Sequence, residues 1–175
     1  PSTEKEVRAV ANVFPDGNKK VFLRNDANEN NLRNANLSKT NVLLFATHGI
    51  VAGEWEFLDE PALILTPTQV EGNDAEDGLL TASEIRELSL NADFVVLSAC
   101  NTAAGDESGE GLSGLASAFI FAGAKSIMAS HWSVESDSTQ ILITNFFQNL
   151  KKVNGTSGPE ALRKSMQQLF EIPDY

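Results

Sequence analysis

Four short apolar runs constrain this chain more than any other feature: residues 42–47 (VLLFAT), 62–66 (ALILT), 94–98 (FVVLS) and 126–130 (SIMAS). None alternates apolar with polar residues, as a strand with one wet face would. Each is also shorter than an ordinary helix. Such runs are read as strands covered on both faces, the usual condition of a parallel sheet. Residues 21–23 are expected to add a weaker edge strand. Helical signals fill the intervals. Val7, Val10, Ala11 and Phe14 fall on one helical face and stop before Pro15. Residues 26–37 are an Asn-rich helix candidate. Thr81-Ala-Ser-Glu84 forms a capping box that opens a short helix to about Glu87. Residues 111–122 (GLSGLASAFIFA) carry small side chains suited to close approach, and Gly123 ends them. Residues 136–150 and a segment opened by Pro159 complete the helices. Strands alternating with helices predict an α/β three-layer sandwich with a mostly parallel central sheet. The acidic stretch 67–78 reads as a mobile loop.

Composition excludes several classes. No apolar run approaches the roughly 18 residues of a membrane-spanning helix, and the stretch PSTEKEVRAV has no basic-then-apolar signal pattern. A cytoplasmic protein is therefore expected. Twenty-four acidic residues against thirteen basic ones give a formal charge of −11. That is the wrong sign for a nucleic-acid backbone and favours basic partners. One cysteine forms no internal disulfide, and two histidines with one cysteine are too few for an ordinary zinc site. No metal and no cofactor are expected. Gly109-Glu-Gly111-Leu-Ser-Gly114 has the spacing of a dinucleotide fingerprint, but it begins too far after the strand at 94–98, and Glu110 would repel a pyrophosphate.

The chemistry gathers at two strand ends. The run 42–47 leads into His48-Gly49, and the run 94–98 leads to Cys100, the single thiol. In a parallel sheet the carboxyl ends share one edge, where ligands bind in open α/β folds. Imidazole and thiol at that edge suit nucleophilic catalysis: the thiolate attacks, and the histidine first removes and later returns a proton. The backbone N–H groups of Gly49 and Cys100 are the candidate oxyanion donors. Taken singly, a lone Cys or His is more often a structural residue; the matched placement favours the catalytic reading.

Several motifs resemble the CHAT domain, a caspase-like cysteine peptidase family related to separases and often joined to tetratricopeptide repeats. They are HGI at 48–50, DGLLTASEI at 77–85, the long stretch from NADFVVLSACNTAAGDESGEG to SHWSVESDST at 91–139, and EALRKS at 160–165. The resemblance implies a caspase-like fold across residues 1–175, taken as a single peptidase domain lacking an upstream part, with a His48/Cys100 dyad. It implies limited cleavage of a protein or peptide substrate, under control of an upstream regulatory or repeat region. By the same resemblance Ser98, two residues before the nucleophile, faces the specificity pocket. Trp132 and Ser133 are candidates for its wall and for a backbone clamp on the peptide. His131 stands where the family commonly has Leu and is read as non-catalytic. Eight carboxylates and no Lys or Arg lie between Gly53 and Leu80, which would favour a basic substrate if they border the cleft. The rival readings are a catalytically silent caspase-like scaffold and a nucleotide-binding signalling domain. Fast alkylation of Cys100 at low pH discriminates against the first. Absence of thermal protection by nucleotides disposes of the second.

Overall fold

The computed structural model describes residues 2–68, 77–98, 110–129, 136–152 and 157–172. The chain divides into two compact units, Phe22–Ser133 and the paired terminal segments Pro1–Val21 and Val134–Tyr175.

The contiguous unit is built on a parallel sheet of β1 (Val42–Phe45), β5 (Phe94–Leu97) and β6 (Ile127–Ala129), in the order β1-β5-β6. The central strand is apolar throughout because both of its faces are covered. Val95 and Leu97 join one cluster with Leu115, Ala118 and Phe119 of α4 (Glu110–Phe121), while Val96, on the opposite face, is equally buried. The Phe45 and Phe119 rings stand 5.4 Å apart within that core. The register runs from Val42↔Phe94 to Phe45↔Leu97, so β1 and β5 begin and end together.

The run at 62–66 does not join this sheet. Its β3 (Ala62–Ile64) is the centre of a second, antiparallel sheet between β2 (Gly49–Ile50) and β4 (Leu79–Thr81). The expectation of a fourth parallel strand is corrected here. Ala62 and Leu63 are fully buried, and burial makes the run continuously apolar whichever way its neighbours point. The expected edge strand at 21–23 is not formed: the segment leads into a 3-10 turn, Arg24–Asp26. The Asn-rich helix contracts to α2 (Glu29–Arg33), followed by a second 3-10 turn, Leu37–Lys39. Asn28 explains the late start: held in extended conformation as the N-cap of α2, its Oδ1 accepts from Asn31 N–H at 2.8 Å, so the helix begins at Glu29.

The other signals hold. Thr81 and Glu84 form the reciprocal capping box of α3 (Ala82–Glu87). Helix α4 starts at Glu110, so Gly111 and Gly114 lie within its first turns; Gly109 lies outside the described residues. Gly114 lets that helix meet Pro61 closely; a Cβ there would lie 2.8 Å from the proline Cγ. Residues 69–76 of the acidic loop lie outside the described residues.

The second unit packs α1 (Ser2–Ala11), α5 (Ser136–Lys152) and α6 (Gly158–Phe170). Phe14 meets Phe147 edge-on at 5.5 Å, and buried Asn149 donates to Ser165 Oγ at 2.9 Å and Gln168 Oε1 at 3.0 Å. Ser157 caps α6 and Pro159 lies in its first turn, where the missing N–H costs nothing. No helix among the described residues is long and apolar enough to cross a membrane.

Candidate active site

Ser98 N–H donates to Phe45 O at 2.9 Å, extending the β1–β5 ladder one step past the paired strand ends. The two exits therefore leave the sheet side by side, about 4.8 Å apart. From Phe45 the chain needs three residues to reach His48, and from its register partner Leu97 it needs three to reach Cys100. Cys100 itself lies outside the described residues, as do Trp132, Ser133 and His131. Of the residues singled out from sequence, the structure places His48, Gly49 and Ser98. His48 is exposed, Gly49 is buried and Ser98 is half-buried.

The segment carrying His48 is held by its backbone. Ile64 N–H donates to His48 O at 2.8 Å, and Thr47 Oγ1 donates to Ile64 O. Both backbone groups of one β3 residue thus hold the exit of β1. The register also fixes the direction of the Gly49 N–H. His48 faces Ile64 in hydrogen-bonded register and Ile50 faces Ala62, so Gly49, paired with Leu63, is in the non-hydrogen-bonded position. Its N–H therefore points away from β3, outside the ladder between the two strands. A backbone donor directed away from its own sheet is free of the ladder, which an oxyanion donor requires.

The carboxylates nearby have varied employment. Both the N–H and the Oγ of Ser83 donate to Glu60 Oε2 at 2.8 Å, in the first turn of α3. Leu79 N–H donates to Asp77 Oδ1 at 2.7 Å, turning the chain into β4. Glu56 and Asp59 are exposed. Sequence reasoning missed Glu29, which is 1% exposed and accepts the Gly78 N–H at 2.9 Å. Burial raises its pKa to about 7, against the pull of that hydrogen bond. Nothing in the pattern around Asn28-Glu29 marks it as an inward-facing acid.

A cavity of about 350 Å³ opens between α2 and α3, lined by Arg33, Asn36, Leu37, Glu84 and Leu88 among others. Arg33 is already paired with Glu84 at 2.7 Å. No group of three or more potential metal ligands occurs among the described residues.

A parallel sheet with helices packed on it, and a histidine at the carboxyl edge, define an α/β protein of caspase-like type. The CHAT domain family model matches residues 1–175, and the chain belongs to that family, a caspase-like peptidase family. It is also 32% identical over 89 residues to tetratricopeptide repeat protein 28 of Mus musculus. That match covers 51% of this chain and 4% of the relative's length.

Proposed function

We propose that residues 1–175 form one cysteine endopeptidase domain that makes limited cuts in a partner protein through His48 and Cys100. One observation carries the reading: β1 and β5 are neighbours, parallel and in register, and the two residues stand equally far along the chain beyond a single pair. Cys100 gives its thiol proton to His48, and its sulfur attacks the peptide carbonyl carbon. The N–H groups of Gly49 and Cys100 receive the developing oxyanion, each worth about 3 kcal/mol of barrier. When the carbon–nitrogen bond breaks, His48 returns the proton to the leaving amine. Water, deprotonated by His48, then cleaves the thioester and restores the thiol. Ser98, Trp132 and Ser133 shape the pocket for the side chain before the cut. The likeness to a tetratricopeptide repeat protein supports control by repeats in the full protein. A lone catalytic thiol suits the reducing cytoplasm.

A peptide library assayed against the chain and its Cys100→Ala and His48→Ala variants tests this. Each variant is expected to lose at least about 1,000-fold in kcat/KM. Hydrolysis unchanged in Cys100→Ala would remove this mechanism, and no hydrolysis above background by the parent would leave the scaffold reading in its place.

A further inference from the structure

The connection between β2 and β3 is a built loop that turns two aromatic rings outward. Gly53, at φ +76°, reverses the chain, and its N–H donates to Leu58 O at 2.8 Å. Glu54 N–H donates to Val51 O at 3.2 Å, Val51 N–H donates to Glu54 Oε2 at 3.2 Å, and Leu58 N–H donates to Trp55 O at 2.9 Å. Leu58 anchors the loop in a small cluster with Ile50 and Ala62. Its neighbour Phe57 is 73% exposed, and Trp55, 37% exposed, has its ring centroid 5.4 Å from that of Phe57. Leaving a phenyl ring in water forgoes the stabilisation that burial would contribute. A loop so fully bonded to itself holds the ring there by structure.

The loop's own charge has one sign. Glu54, Glu56 and Asp59 are exposed beside them, and the sequence from Gly53 to Leu80 has no Lys, Arg or His. We propose that this loop is a docking surface for a basic polypeptide segment in which Arg or Lys alternates with apolar residues. The cations stack on the ring faces and pair with the carboxylates, while the apolar side chains cover Phe57. A second copy of this chain, at a formal charge of −11, is repelled, and so is an anionic membrane surface. The loop leaves β2, the strand that follows His48 directly, so a partner seated on it is held two residues from the proposed general base. The inference does not depend on that dyad, because docking is read by binding alone.

The full 175-residue chain is titrated against a fluorescein-labelled synthetic peptide of alternating Arg and Leu, followed by anisotropy. A Glu/Leu peptide, phosphatidylserine vesicles and sedimentation of the chain alone accompany it. Saturable binding of the Arg/Leu peptide is expected, weakened about tenfold in the Trp55→Ala/Phe57→Ala variant. The E54Q/E56Q/D59N variant is expected to bind more weakly and with less salt dependence, both variants keeping the parent's circular dichroism and melting. Phe57→Ser, at a site that touches little of the core, repeats the ring test should the double variant not fold. Unchanged affinity in Phe57→Ser and the charge variant overturns the proposal. So does equal binding of the Glu/Leu peptide, capture of the vesicles in place of the peptide, or a self-association that the ring variants abolish.

Discussion

Asn28 and Glu29 are adjacent, yet one caps a helix and the other is driven inward. Asn28 takes the cap of α2, which turns the next side chain towards Gly78 and out of water. Glu29 Oε2 accepts the Gly78 N–H, while Oε1 has no hydrogen-bond partner among the described residues and lies 3.6 Å from the Arg33 guanidinium. Burial is the largest influence and raises the pKa to about 7; Gly78 lowers it, Glu84 and Asp77 raise it, and Arg33 lowers it. The folded chain thus keeps a proton that the unfolded chain releases near 4.5. Stability from this group is full below that value, falls as pH rises to about 7, and stays reduced above it. Glu29→Gln keeps an acceptor for Gly78 and removes the titration. In urea melts it should gain about 1–3 kcal/mol on the parent between about pH 4.5 and pH 8. A difference between the two proteins that stays constant across that range refutes the assignment.

At the scale of elements, stops and starts were more legible than partners. Gly123 was readable as the end of α4, and the structure shows why nothing else fits. Its φ is +112°, Ala124 N–H donates back to Phe119 O at 2.9 Å, and a Cβ would run into Leu90 O. Gly123→Ala should cost about 2–4 kcal/mol, since the backbone must leave both the turn and its contact with Leu90. A loss under about 0.5 kcal/mol in a denaturant melt would refute this account. The capping box at Thr81 was legible for the same reason: caps and left-handed turns are decided by residues a few positions apart. Strand partnership is not. Residues 62–64 are apolar because they are central and buried, and that pattern is common to both sheet types. The Gly49–Ile50 strand is two residues long, too short for any period to register. The His48 exit was legible as a residue type at the end of a strong strand. Its clamp through Thr47 and Ile64 was not, because it joins segments 17 positions apart in the chain.

For the whole molecule, the dominant unspent term is charge. Twenty-four acidic and thirteen basic residues leave a formal −11. Several of the ion pairs are local and exposed, such as Arg8–Glu4 and Arg163–Glu160, and pairs of that kind contribute at most about 1 kcal/mol each. Screening therefore relieves more repulsion than it weakens attraction. Raising salt from about 10 mM to about 150 mM shortens the Debye length from about 30 Å to about 8 Å. At neutral pH this should raise the denaturation midpoint, and near the pI of about 4.5 it should not, because the net repulsion has gone. The same salt increase should weaken capture of a basic peptide at the Trp55–Phe57 loop, where attraction between unlike charges is screened. One ionic variable thus moves fold stability and docking in opposite directions. Parallel melts and anisotropy titrations along one salt series read both signs. A midpoint that falls with salt at neutral pH would mean that attractive pairs outweigh the net charge. Salt-independent peptide affinity would remove the carboxylates from the docking surface.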